Sequence, residues 1–382
     1  MMTASSDGLE KVVDRLGELR GLGTKVGQMA GLVEANLPPD VRARVGPALA
    51  RLRAHAVTSP YADVARIVEE DLGAPPEALF LRFDREPFAS ASLGQVHDAV
   101  HPSGVHVAVK IQHPGIREAF TNDLTNVTSI AGVAASFVMA EGQSRPFIDG
   151  VKNGFLAELD YVREADNMRL FERLIDGDPD LELPRVVGDR SSARVLSSTF
   201  LRGVPVESAR AFGEPTRRRQ AAAIRRFVLS TLDRHGVLYA DAHAGNFFFR
   251  EDGSVGVLDF GSVFQFDEDR RRAFADFFDV IRQGDRAAFG AAVGRAFSID
   301  NRAVAEAIAD AQWIAIGALV RGDAISDAQV RRITEAAGKM KSKLIREKIT
   351  LPYFMPFFMR AIVASNALLA ALDAPESGML GA

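Results

Sequence analysis

Two carboxylates and an amide in the second half of the chain carry the first chemical signal. Tyr239-Ala240-Asp241-Ala242-His243-Ala244-Gly245-Asn246 is followed, across a short apolar stretch, by Asp259-Phe260-Gly261. Asp241 and Asn246 form D-x-x-x-x-N, and Asp259 opens D-F-G. Phosphoryl transfer uses such a set: one aspartate faces the incoming nucleophile, while a second, helped by an asparagine, holds magnesium against nucleotide phosphates. Between the motifs, 247–250 and 255–258 read as two strands joined by an Asp252-Gly253 turn. A lone D-F-G is common by chance; two motifs flanking one hairpin are not.

On a protein-kinase-like fold this chemistry also needs a strand lysine for the α/β-phosphates and a helix glutamate to pair with it. Val107-Ala108-Val109-Lys110 supplies the lysine, after a turn at Pro102-Ser103-Gly104. The preceding Phe88-Ala89-Ser90-Ala91-Ser92-Leu93-Gly94-Gln95-Val96-His97 occupies the place of a glycine-rich loop, with Gly94 where a typical protein kinase has three glycines. Ala89, Ser90, Ala91, Ser92 and Gly94 are expected to cover the nucleotide phosphates. Their small side chains let backbone N–H groups approach, while the alanines restrict φ. Alone, V-A-V-K is an ordinary strand end; its order relative to Asp241 and Asp259 gives it weight.

The chain resembles the UbiB/AarF (ADCK-like) atypical kinase-like family over roughly residues 9–263. The motifs are Lys25-Val26-Gly27-Gln28 (K-x-G-Q), the alanine-rich loop, Glu158-Leu159-Asp160 (E-x-D) with Glu164 after it, and the Asp241, His243, Asn246 and Asp259 set. K-x-G-Q and E-x-D are absent from ordinary protein kinases. The resemblance implies ATP or ADP with Mg²⁺ as cofactors, Asn246 and Asp259 as metal ligands, and Asp241, Lys110 and Glu164 as catalytic residues. It implies that Lys25 and Gln28 point at the phosphate region, with Glu158 or Asp160 balancing the lysine. It also implies a link to isoprenoid quinone or other lipid biosynthesis at a membrane surface. Three departures stand out: the family's H-A-D-P-H-P-G-N has tyrosine at 239 and alanines at 242 and 244 here. Loss of both prolines predicts a looser loop with every charged group kept.

Composition is that of an ordinary globular enzyme, with 382 residues, 47% hydrophobic and 25% charged. A net charge of -4, from 46 basic and 50 acidic residues, gives no sign of nucleic-acid binding. The absence of cysteine excludes disulfides, thiolate catalysis and Cys-based zinc, and is compatible with a cytoplasmic setting. No signal peptide is visible. The apolar stretch 351–372 is interrupted by Pro352, Pro356, Arg360 and Asn366, and reads as a buried terminal helix, with no transmembrane segment expected.

Periodicity predicts a mixed α+β chain, and the motifs with the resemblance imply a protein-kinase-like bilobal fold with an N-terminal helical extension and an all-helical C-terminal tail. The expected division is 1–75 for the extension, 76–200 for the small lobe and 201–382 for the large lobe. Helices are expected near 9–22, 41–52, 61–72, 116–140 and 147–175, and strands between 79 and 111, at 183–187 and at 194–199. Phe200-Leu201-Arg202-Gly203 is the expected hinge, with Thr199 and Leu201 as nucleotide contacts. After Asp267 everything reads as helix, broken at Gly284-Asp285, Asp300-Asn301 and Gly322-Asp323.

Other signals have plainer readings. Gly21, Gly23 and Gly27 follow a helical pattern, so they suit helix packing better than a dinucleotide fingerprint. His97, His101, His106 and His113 fall on strands and turns without a nearby carboxylate pair and read as surface or core histidines. Arg217, Arg218, Arg219, Arg225 and Arg226 read as the solvated face of a helix, with contact to anionic lipid as the lesser reading. Beyond D-F-G, Ser262-Val263-Phe264-Gln265-Phe266 runs at once into a helix start at Asp267, so no peptide platform is encoded. The choice lies among a small-molecule kinase (the aminoglycoside and choline kinases also lack a platform), an ATPase, and a non-catalytic nucleotide-sensing scaffold. The acceptor is expected to be small or lipid-like, in a peripheral membrane or lipid-biosynthesis complex.

Overall fold

A computed structural model describes residues 58–91, 93–118, 157, 159–322, 326–347 and 351–374. The helices expected near 9–22 and 41–52, the chain from 119 to 156, and Lys25, Gln28, Ser92 and Glu158 lie outside these residues. In chain order the elements are α1 (Tyr61–Leu72), α2 (Pro76–Leu79), β1 (Arg82–Phe83), β2 (Ala89–Ala91), β3 (Gly94–Val100), β4 (His106–Gln112), α3 (Tyr161–Leu174), β5 (Leu181–Glu182) and β6 (Val195–Thr199). There follow α4 (Val206–Ala209), α5 (Glu214–His235), β7 (Val237–Tyr239), β8 (Phe247–Phe249), β9 (Val255–Val257) and β10 (Val263–Gln265). The chain ends in helices α6 (Glu268–Arg282), α7 (Arg286–Phe297), α8 (Arg302–Arg321), α9 (Asp327–Glu347) and α10 (Met355–Leu372). The class is α+β. The chain divides into two compact units, the first drawn from Met1–Ala134, Phe155–Ala165 and Val186–Phe200, the second from the rest.

The first unit is built on an antiparallel sheet in the order β1-β3-β4-β6, with β2 beside β3. Along β4 burial alternates, so Val107, Val109 and Ile111 turn inward to one face. There they pack with Val64, Ile67 and Val68 of α1, spaced at i, i+3 and i+4. The period of two therefore sends His106, Ala108 and Lys110 to the opposite face. Gly104, at φ 86°, makes the β3–β4 turn.

In the second unit β8 and β9 form the expected hairpin, with Gly253 at φ 92° in its turn. β5 joins β9 in parallel, and β7 pairs with β10. This corrects the strand expected at 183–187. Pro184 has no N–H to donate, so pairing ends at Glu182, and Val186 makes only an isolated bridge with Ser198. The helix expected over 147–175 is seen from Tyr161.

The C-terminal breaks fall where capping chemistry places them. Asp267, Asp285 and Asn301 accept from the backbone N–H groups of Arg270, Ala288 and Val304, and Gly322 closes α8 in the left-handed region. Helices α8 and α10 are each long and apolar enough to cross a membrane. Both also contribute to the core, through Ile308 and Ile316 of α8 and Phe358, Ile362 and Leu372 of α10.

Of the arginines of α5, Arg218 and Arg219 are exposed, as a solvated face requires, whereas Arg217, Arg225 and Arg226 are not. Arg219 and Arg226 share Asp180, at 2.5 and 3.0 Å, and Arg226 also binds Asp178 at 2.7 Å. Arg217 donates to the Leu372 and Asp373 carbonyls, while Arg225 is 5% exposed and donates to the Gly322 carbonyl. Arg218 pairs with Glu214 on the surface. Neighbouring loops supply carboxylates and carbonyls on several sides of α5, a covering that helical periodicity does not report.

Candidate functional site

In the first unit Lys110 Nζ donates to both carboxylate oxygens of Glu164, at 2.8 and 2.9 Å. Glu164 is 3% exposed and Lys110 19%, so the pair is largely removed from water. The Lys110 ammonium also lies 5.1 Å from the ring centroid of Tyr161. Helix α3 presents Glu164 from its first turn. Asp160, just before the helix, accepts from the Arg163 N–H at 3.1 Å and so caps the start. The Asp160 carboxylate thus holds the turn that carries Glu164. Gln112, at the end of β4, donates to the Leu159 carbonyl at 2.9 Å and ties this turn to the lysine strand.

The alanine-rich loop is the β2–β3 hairpin, with Ala89, Ser90 and Ala91 opposite Val96, Gln95 and Gly94. Ala89 and Ser90 are exposed, whereas Leu93 turns its side chain inward at 4% exposure. Gly94 has a packing reason to be glycine. A Cβ there would drive into the Ile111 carbonyl and come within 2.8 Å of Tyr161 Oη. Behind the loop, Gln95 accepts from the Ser59 N–H at 2.6 Å and lies 2.9 Å from His97 Nε2, while His97 Nδ1 lies 2.8 Å from the Asp84 carbonyl. A carbonyl only accepts, so Nδ1 carries the proton and Nε2 accepts from Gln95. Burial holds the His97 pKa below its ordinary value, against the opposing pull of the Asp84 carbonyl. His101 and His106 each find a single carboxylate, Asp189 at 3.1 Å and Asp98 at 2.6 Å. Thr199 ends β6 half-buried, in register with Val107.

In the second unit the buried strand β7 delivers Asp241, and a one-turn 3₁₀ helix over Ala244–Asn246 delivers the asparagine. Asn246 Nδ2 donates to the Asp241 carbonyl at 2.9 Å, and the His243 and Asn246 N–H groups donate within the loop at 2.9 and 3.0 Å. Gly245 N–H donates to His243 Nδ1 at 3.1 Å. These bonds hold the backbone where the family's prolines are missing. Because the Asn246 amide nitrogen is committed to a carbonyl, its oxygen is the end left to meet a cation.

Leu258 N–H donates to the Asn246 carbonyl at 3.0 Å, so the hairpin brings D-F-G back beside the asparagine turn. Asp259 Oδ1 accepts from the Gly261 N–H at 2.9 Å, and Phe260 is fully buried against Phe171 and Tyr239. Leu201, also buried, lies beside Gly256. Among the described residues no three His, Asp or Glu side chains cluster as a metal site. One carboxylate and one amide oxygen are hard donors that suit Mg²⁺, which takes its remaining ligands from water and phosphate. The sequence reading missed Arg360, whose guanidinium lies 3.4 Å from Asp241 Oδ1. A lone charge inside an apolar helix was the signal for it.

Residues 51–292 match the model of the ABC1 atypical kinase-like domain. This chain belongs to the ABC1 atypical kinase-like family. Among similar curated proteins, atypical kinase COQ8B, mitochondrial, of Danio rerio is 29% identical over 280 residues, covering 73% of this chain and 44% of that protein. Atypical kinase COQ8, mitochondrial, of Saccharomyces cerevisiae is 27% identical over 270 residues, covering 69% of this chain and 52% of that protein. The chain thus spans about half the length of the curated ABC1 relatives it matches. A solved structure, of the Rv3197–erythromycin complex from Mycobacterium tuberculosis, is 26% identical with a TM-score of 0.61, covering 96% of this chain and 93% of that one. The ABC1 match accounts for the kinase-like α+β fold and spans E-x-D and D-F-G, while K-x-G-Q lies before the matched residues.

Proposed function

We propose that this chain binds Mg-ATP and turns it over, as an ATPase or as a phosphotransferase to a small or lipid-like acceptor, in support of isoprenoid quinone or other lipid biosynthesis. The observation that carries the reading is the Lys110–Glu164 pair, with Nζ on both carboxylate oxygens at 2.8 and 2.9 Å. A largely buried lysine held in this way is preset for the α/β-phosphates. Asp241 orients the attacking hydroxyl or water, and Ala89 to Gly94 cover the phosphates. Asn246 and Asp259 would hold Mg²⁺, which would offset the negative charge of the phosphates. Thr199 and Leu201 contact the nucleotide, and Lys25, Gln28 and Glu158 act as a cover that tunes the choice between ATP and ADP. Asp160 serves through the helix cap it makes.

A peptide acceptor does not fit. β10 pairs with β7 directly after D-F-G, and Asp267 then caps α6, which leaves little chain to seat a substrate peptide. The relatives named atypical kinases support phosphoryl chemistry, and the resemblance to the UbiB/AarF family supports the quinone link and a peripheral place at a membrane. The test is Mg-ATP calorimetry together with ATP turnover, with and without detergent-solubilised lipid. Magnesium-dependent binding with lipid-stimulated turnover is expected. Binding without any turnover would instead favour the scaffold, and no magnesium-dependent binding would overturn the nucleotide reading.

A further inference from the structure

Arg360 stands in the otherwise apolar helix α10, yet its guanidinium does not leave for solvent. Nε donates to the Ala240 carbonyl at 3.0 Å, and Nη2 donates to Ser262 Oγ at 3.1 Å. Nη2 also lies 3.4 Å from Asp241 Oδ1, and the guanidinium carbon lies 5.7 Å from the Phe357 ring centroid. The Arg360 and Asp241 side chains are only 15% and 9% exposed. Burying such a charge is costly unless its donors are met, and here one planar fork donates to two acceptors and lies within ion-pair distance of a carboxylate. Two of them flank the candidate chemistry: Ala240 precedes Asp241, and Ser262 follows D-F-G. Those two segments are themselves joined by the Ala240 N–H on the Ser262 carbonyl at 3.0 Å. Alanine at 240 has no side chain with which to hold the loop; a residue 120 positions away holds it instead. Ring contacts of Phe357 with Phe264 at 4.9 Å and of Phe354 with Phe266 at 4.8 Å seat the start of α10 at the same place.

We propose that Arg360 is a positioning residue for phosphoryl transfer, supplied by the C-terminal helix. By occupying Oδ1 it fixes the Asp241 carboxylate, so that Oδ2 is the oxygen offered to the nucleophile's hydrogen. On that side stands His243 Nε2, 3.7 Å from Oδ2. The inference rests on the reading of Asp241 as the nucleophile-orienting group. The C-terminal helix is then part of the catalytic apparatus and not only a lid on the core.

The test compares Arg360→Gln and Arg360→Lys with the wild-type chain for ATP turnover, Mg-ATP affinity and melting temperature. Arg360→Gln is expected to lower kcat on the order of 10- to 100-fold with KM for Mg-ATP within about twofold, and Arg360→Lys to recover part of kcat. An unchanged kcat, or a loss confined to KM, would overturn the proposal. A second measurement does not need turnover: a denaturation cycle of Arg360→Gln and Asp241→Asn. The double variant is expected to lose clearly less than the sum of the single losses; strict additivity would overturn the pairing. A wild-type chain without turnover but with a coupled cycle would overturn the proposed function and leave the Arg360–Asp241 relationship standing.

Discussion

Lys110 and Glu164 are joined by two short contacts, 2.8 and 2.9 Å, between a strand residue and a helix residue 54 positions apart in sequence. With Glu164 only 3% exposed, removal of one partner strands a buried charge. Lys110→Met should therefore destabilise on the order of 3 kcal/mol, and pairing it with Glu164→Leu should recover most of that loss. Mg-ATP affinity should stay low in the double variant. Chemical denaturation and calorimetry on the same samples separate the two effects; full affinity in the double variant would make the pair structural only.

Asp259→Asn keeps an oxygen to accept the Gly261 N–H, so the turn at D-F-G should survive. The lost negative charge should lower Mg-ATP affinity at least about tenfold, or about 1.4 kcal/mol, with little change in melting temperature. Titration with and without magnesium checks this. An unchanged magnesium-dependent affinity would remove Asp259 as a ligand.

Gly94→Ala should act on the fold. The added methyl would meet the Ile111 carbonyl and Tyr161 Oη in a rigid hairpin, and overpacking of this kind costs about 1–3 kcal/mol. A drop in Mg-ATP affinity at unchanged stability would show instead that the glycine serves the phosphates.

His97 gives stability a pH dependence of known sign. Burial keeps the imidazole neutral in the folded chain, below the ordinary value of 6.5. The unfolded chain binds its proton first as pH falls, so the stabilisation is complete above 6.5 and is lost progressively below it. His97→Gln should flatten the pH dependence of unfolding below pH 6.5, relative to wild type, by up to about 1.4 kcal/mol per pH unit. Parallel curves for the two chains would show that His97 does not titrate differently on folding.

The sequence by itself determined the elements whose cause is local. Helix α1 was legible from apolar spacing, the β8–β9 hairpin from Asp252-Gly253, and the C-terminal helix breaks from capping residues. The site motifs were legible because phosphoryl chemistry fixes both residue types and spacing. Only the tertiary structure decided contacts with no local signature. It turned Asp160 into a helix cap, Gly94 into a point of close approach, and the arginines of α5 into clamps on Asp178, Asp180 and distant carbonyls. It also brought Arg360 from the last helix to Asp241. Periodicity shows which face of an element is apolar. It cannot show which remote acceptors will meet a buried charge, because that depends on how segments far apart in the chain pack in space.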